Sequence, residues 1–273
     1  MTDKSEKLLF HTFDETLKSQ IEELLSLGKA AGADLVEFFM EKSDNISLLA
    51  EQDNISNVSP SFGIGAGIRV FLGTKDGFVS TNDLSKSGLL FALSQALGML
   101  GLEIGTNNKL NFEGLNTFKD FGSTKNHWLD DTPDLNESTI KLLESTKILS
   151  DKNKNLQVRR ASYSRNWQEV LVAASDGVFA RDIRLHQTVG LNVIAIDEKK
   201  RSTSARRYGS SGNPNDLRNW NIDKSATELN ESAQKMLNAE YVDAGQMPVV
   251  LANKFGGVIF HEACGHLLET TQL

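Results

Sequence analysis

The 273-residue sequence predicts an α+β protein: curved antiparallel sheets with flanking helices, arranged as two related sheet-plus-helix units. Three observations support this. Short runs of strand-type residues alternate with turn signals in meander order, segments with helical spacing lie before and after each meander, and several landmarks recur at one offset. A hydrophobic content of 39% at this length suffices for a substantial core.

The first helix is signalled by Leu17, Ile21, Leu24, Leu25 and Leu27, with Thr12 or Asp14 to cap it and Gly32 to stop it. Strand patterns follow over Asp34 to Met40, Asn45 to Glu51 and Gly65 to Phe71, with turns expected at Asp53-Asn54 and at Lys75-Asp76-Gly77. Helical spacing returns over Leu84 to Leu100 and over Glu137 to Leu149.

The second half has the same grammar. Tyr163 to Ala174, the turn Ser175-Asp176-Gly177, Val178 to Arg184, Gly190 to Ile196 and a charged turn at Asp197 to Arg201 read as another meander. An offset of 123 residues sets Asp176-Gly177-Val178 on Asp53-Asn54-Ile55, Gly190-Leu191-Asn192-Val193 on Gly67-Ile68-Arg69-Val70, and Lys199-Lys200 on Asp76-Gly77. This suggests two copies of one unit, two similar meanders of independent origin being the alternative. A Gly- and Asn-rich stretch, Tyr208 to Asn215, precedes a helix at Lys224 to Asn238, and Met247 to Ala252 reads as a buried strand.

Bulk chemistry narrows the function. A net charge of -7 argues against a general nucleic-acid binder, which needs a basic face to displace counterions. The basic clusters Arg159-Arg160, Lys199-Lys200-Arg201 and Arg206-Arg207 are expected at solvated strand ends or hairpin tips. The start of the chain lacks the apolar core of a secretory signal, and no run is long and apolar enough to span a bilayer, so a cytoplasmic location is expected. A single cysteine, Cys264, excludes an internal disulfide framework; it could approach a metal, but is expected to pack as a small apolar residue.

Gly63-Ile64-Gly65-Ala66-Gly67 superficially looks like a nucleotide-binding glycine loop. A phosphate cradle needs a helix N-terminus next, whereas Ile68-Arg69-Val70-Phe71 reads as a strand. The glycines are expected to permit a bulge or a close strand crossing.

The chemistry-bearing segment is Gly256-Gly257-Val258-Ile259-Phe260-His261-Glu262-Ala263-Cys264-Gly265-His266. Two imidazoles bracketing a carboxylate provide two neutral nitrogen ligands and a general base beside a metal-activated water. The alternative is a buried apolar helix that happens to carry two histidines. In the familiar His-Glu-x-x-His pattern the histidines lie four apart, about 40° around an α-helix; here they lie five apart, about 140°. A π-bulge, with its i to i+5 turn, would return both to one side, so an irregular helix is expected at 261–266. Gly265 is expected to relax the backbone there.

These segments together resemble the TldD/PmbA family, metalloproteases also called modulators of DNA gyrase, and its TldD branch above all. The resemblance is carried by Gly67-Ile68-Arg69-Val70, Lys75-Asp76-Gly77-Phe78, Thr81-Asn82-Asp83-Leu84, Tyr163-Ser164, Gln168-Glu169-Val170, Ser175-Asp176-Gly177-Val178, Gly245 to Leu251 and the His-Glu-x-x-x-His stretch. It implies a zinc-dependent peptidase acting on unfolded peptides, dimeric, either with itself or with a PmbA/TldE-type subunit, without direct nucleic-acid or membrane partners. His261 and His266 then match the metal ligands and Glu262 the catalytic carboxylate.

The family's remaining ligand is a cysteine from a β-rich C-terminal domain, and Cys264 does not occupy that position. The expected organisation is therefore an N-terminal α+β domain over 1–243 and, over 244–273, the start of the metalloprotease domain, cut short after the motif. A non-catalytic fragment, acting only as a peptide-binding or dimerisation module, is the competing expectation.

Overall fold

The computed structural model describes residues 15–105, 119–120, 135–152, 156–197, 200–211, 219–253 and 256–269. Two compact units divide between Leu237 and Asn238.

The first unit is an α+β structure built on one sheet. Its strands are β1 (Leu35–Glu51), β2 (Asn54–Leu72), β3 (Lys75–Thr81), β4 (Lys119–Asp120), β5 (Leu156–Ala174), β6 (Val178–Asp197) and β7 (Lys200–Ser211). Their order is β3-β2-β1-β5-β6, with β7 antiparallel to most of β6 and the two-residue β4 parallel to its first residues. Four helices accompany them: α1 (Glu15–Ala30), α2 (Lys86–Gly98), α3 (Leu135–Lys152) and α4 (Ile222–Leu237).

Several strands are longer than the sequence suggests. The expected strands Asp34 to Met40, which starts one residue later at Leu35, and Asn45 to Glu51 are parts of the single 17-residue β1, and Val178 to Arg184 and Gly190 to Ile196 are parts of the 20-residue β6. The polar residues that break each pattern, such as Lys42 and Asp44 in β1, still have strand partners on both sides. Lys75-Asp76-Gly77 opens β3 instead of forming a turn; the chain reverses just before it, at Gly73, where φ is +59°. The β1–β2 reversal falls on Gln52 and Asp53, both left-handed at φ 51° and 68°, as a tight hairpin of right-handed strands requires. β7 runs through Tyr208 to Ser211, into the stretch expected to be a connection. The candidate caps Thr12 and Asp14 lie outside the described residues.

Burial alternates along β1, with even-numbered residues turned to the core. Val36, Phe38 and Met40 pack beneath α1 and α2 with Ile21, Leu24, Leu89 and Leu93; Ile46, Leu48 and Ala50 pack beneath α3 and α4 with Leu142, Leu149, Leu229 and Ala233. One strand thus supplies two hydrophobic clusters on one sheet face. Between them, the same face carries Lys42 and Asp44 of β1 and Trp167 and Glu169 of β5. Glu169 is fully buried and accepts from Arg181 Nε at 2.7 Å, while Arg165 Nη2 reaches Asp44 at 3.3 Å. Burial pushes the Lys42 ammonium below its ordinary pKa, against the upward pull of Glu169 and Asp44.

Shifted by 123 residues, α1, β1, β2 and β3 fall on α3, β5, β6 and β7. The β1–β5 pairing obeys the same offset: Asp44 lies opposite Trp167, 123 positions further on, and the antiparallel register extends symmetrically to Glu37↔Ala174 and Glu51↔Arg160. An approximate twofold axis therefore passes through the polar centre.

The glycine-rich segment is a regular part of β2 paired to β1, with the register shift elsewhere, at Leu49/Ala50. A close approach, not a bulge, accounts for Gly67: a Cβ there would lie 3.0 Å from the Phe78 ring. The basic residues are partly paired across strands, Arg159 with Asp53 at 3.2 Å and Arg160 with Glu51 at 2.9 Å. Among the described residues, no helix is long and apolar enough to cross a membrane.

Candidate metal centre

The motif lies in the second unit, residues Asn238–Leu273. A short helix α5 (Gly256–Phe260) passes directly into a π-helical turn over His261–Gly265 and then a 3-10 turn over His266–Leu268. The π turn closes where the histidine spacing demands it: the His266 N–H donates to the His261 carbonyl, five residues back. An α-helical bond would have tied His266 to Glu262 and turned the rings apart.

The wider turn brings both imidazoles together, their ring centroids 4.7 Å apart and their planes at 73°. One ligand atom each from His261, Glu262 and His266 lies within 4.8 Å of the others, and all three residues are exposed. His266 Nε2 is 3.4 Å from Glu262 Oε2. Nitrogen ligands at about 2.0–2.1 Å from a tetrahedral metal sit roughly 3.3 Å from each other, a spacing of the same scale as this cluster. The residues present therefore fit a metal.

Gly265 has ordinary right-handed helical angles, φ -61° and ψ -50°, and a Cβ there would make only a 3.7 Å contact with His261 Nδ1. The expectation that this glycine relaxes the backbone is not met: the changed hydrogen-bond register, not an unusual φ, makes the π turn. Cys264 is exposed, contrary to the expected apolar packing. Met247 to Ala252 is not a strand. It pairs with no other strand among the described residues, Val249 is 71% exposed and Val250 96%, and without a ladder its alternate side chains have no face to bury.

Sequence reasoning passed over Glu269. Its carboxylate Oε1 lies 2.8 Å from His266 Nδ1. The available signal was its place three residues after a candidate ligand.

A sequence model of the PmbA/TldA metallopeptidase domain 1 matches residues 36–100, and one of the PmbA/TldA metallopeptidase central domain matches residues 129–237, together more than half of the chain. The chain belongs to the PmbA/TldD metallopeptidase family. Both matched segments end before the His-Glu-x-x-x-His motif. A metalloprotease TldD homolog from Haemophilus influenzae is 26% identical over 248 residues, 86% of this chain and 50% of its own length. A metalloprotease from Methanocaldococcus jannaschii is 24% identical across 92% of this chain and 54% of its own. The chain thus spans about half the length of the curated relatives it matches.

The fold has solved counterparts. A Thermotoga maritima protein described as a modulator of a DNA gyrase superposes with a TM-score of 0.64 at 13% identity, covering 84% of this chain and 50% of that one. TldE from Thermococcus kodakarensis gives 0.61 at 18% identity, covering 79% and 47%. These likenesses concern the fold alone.

Proposed function

We propose that this chain carries part of a zinc-dependent peptidase of the TldD type, acting on unfolded peptides. The observation that supports this reading is the π turn that gathers His261, Glu262 and His266 within 4.8 Å. His261 and His266 would hold the ion, and a third protein ligand would come from outside the described residues. When bound there, zinc supplies Lewis acidity toward a peptide carbonyl and acidifies a water molecule.

The chain's own chemistry centres on Glu262. Its carboxylate is positioned on the imidazole side of the turn, to take a proton from the attacking water and deliver it to the departing amine nitrogen. The outer edges of β3 and β7, unpaired with further strands among the described residues, offer backbone groups to an extended peptide, which favours unfolded substrates. A folded substrate cleaved as fast as its denatured form would contradict that step.

We assign 1–243 to the N-terminal α+β domain and 244–273 to the beginning of a metalloprotease domain. A cytoplasmic dimer, with itself or with a TldE-type subunit, is the assembly we propose, on the resemblance of the sequence to that family. A second reading, a peptide-binding or dimerisation module without turnover, is favoured by the exposure of all three site residues, since catalytic zinc needs a third protein ligand and a shielded site.

Elemental mass spectrometry of the purified chain tests the metal assignment. Stoichiometric zinc that disappears in His261→Ala is the expected result. Equal, stoichiometric zinc in both proteins would refute the ligand assignment, and no zinc in either would favour the module reading. Zinc binding without hydrolysis of an unfolded polypeptide would favour the module reading.

A further inference from the structure

His266 lies between two carboxylates. Its Nδ1 is 2.8 Å from Glu269 Oε1, and its Nε2 is 3.4 Å from Glu262 Oε2. Glu269 is tied to His266 a second time, its backbone N–H donating to the His266 carbonyl at 3.3 Å. Both contacts follow from the 3-10 turn over His266–Leu268, because positions i and i+3 eclipse in that geometry.

A neutral imidazole carries one N–H, and only the other nitrogen has a lone pair for a metal. Of the two carboxylate contacts, the one at Nδ1 is the shorter and so the better acceptor for that proton. We propose that Glu269 is a positioning residue: it holds His266 in the Nδ1–H tautomer, leaving the Nε2 lone pair on the side of Glu262, where the metal would be held. Carboxylates behind ligand histidines fix ring orientation in this way and raise the basicity of the ligating nitrogen. The metal part of this inference rests on the function proposed above. The tautomer part does not.

The test uses the full chain labelled with ¹⁵N-histidine, free of metal, observed by long-range ¹H–¹⁵N correlation about two pH units above the ordinary histidine pKa of about 6.5. Wild type is expected to show His266 protonated at Nδ1. In Glu269→Ala the His266 signals move toward the Nε2–H form while those of His261 stay in place, and Glu269→Gln, which keeps an acceptor oxygen, retains the wild-type pattern. Zinc affinity measured by calorimetry is expected to fall about 10–100-fold in Glu269→Ala and to recover in Glu269→Gln.

An unchanged His266 tautomer in Glu269→Ala overturns the inference. Loss of the Nδ1–H form in a chain whose wild type binds no zinc upholds the Glu269–His266 coupling and overturns the metal reading instead. Equal zinc affinity in wild type and Glu269→Ala overturns the positioning role toward a metal.

Discussion

Replacing Glu169 by alanine probes the polar centre between the two hydrophobic clusters. The wild-type carboxylate is fully buried and paired with Arg181, whose side chain is 23% exposed, and Lys42 beside it is 5% exposed. Removing one member of a buried ion pair costs about 3–5 kcal/mol, because the cation left behind has neither partner nor water. Arg181 can partly regain water through its exposed fraction, which places the expected loss near the lower end, about 3 kcal/mol. For a unit of this size that lowers Tm by roughly 6–12 °C.

Urea unfolding followed by tryptophan fluorescence is the assay. Trp167, 4% exposed and two residues from Glu169 on the same strand face, reports on the centre directly. A double-mutant cycle with Arg181→Met is expected to give a coupling of at least about 1 kcal/mol. The deficit also depends on pH. Loss of Glu169 removes the larger of the two attractions that raise the Lys42 pKa, so that pKa falls further. A lysine with a depressed folded pKa contributes stability that is present above its unfolded pKa of about 10.4 and lost as pH falls through the folded value. The mutant's deficit should therefore narrow toward alkaline pH. A loss below about 1 kcal/mol, or additivity with Arg181→Met, would refute the coupled centre.

Other substitutions test other links. Burial raises the Tyr163 pKa, and its hydroxyl donates to Gln187 Oε1 at 3.1 Å. The stability it contributes is fully present below pH of about 10 and lost as pH rises through the folded value, so Tyr163→Phe should flatten the alkaline limb of an unfolding profile. Gly77→Ala should cost about 1–3 kcal/mol in urea, since its methyl would run into the Ala96 carbonyl of α2. Ser85→Ala should cost about 1 kcal/mol by the same measurement, because the Ser85 hydroxyl caps α2 by accepting from the Gly88 N–H at 3.1 Å. Gly265→Ala should leave zinc content unchanged, as the backbone there is ordinary helix with room for a methyl; a loss of zinc would show that glycine is required after all.

Local chemistry carried much of this structure in the sequence. Apolar spacing located α1 to α4 to within a few residues, and the five-residue histidine spacing implied the π turn, because helical angles leave few other ways to aim both rings at one point. What escaped depended on distant partners. The continuity of β1 through Lys42 and Asp44 is invisible locally, because neighbouring strands satisfy that backbone and Glu169, 127 positions from Lys42, helps to accommodate its charge. Met247 to Ala252 failed for the converse reason: its composition suits a strand, but a strand exists only with a partner. Glu269 was missed because its value lies in a 3-10 turn whose boundary composition does not announce.

The near-twofold pairing of β1 with β5 has a kinetic consequence. Within each meander, β1–β2 and β5–β6 close through tight reversals between neighbouring segments of chain. The seam between the meanders joins residues such as Asp44 and Arg165, 121 positions apart. Closing so long a loop costs entropy that no local contact offsets in advance, and such pairings fold slowly. Each meander is therefore expected to collapse early on its own helices, with the seam as the late event and its desolvated charges setting the height of the last barrier.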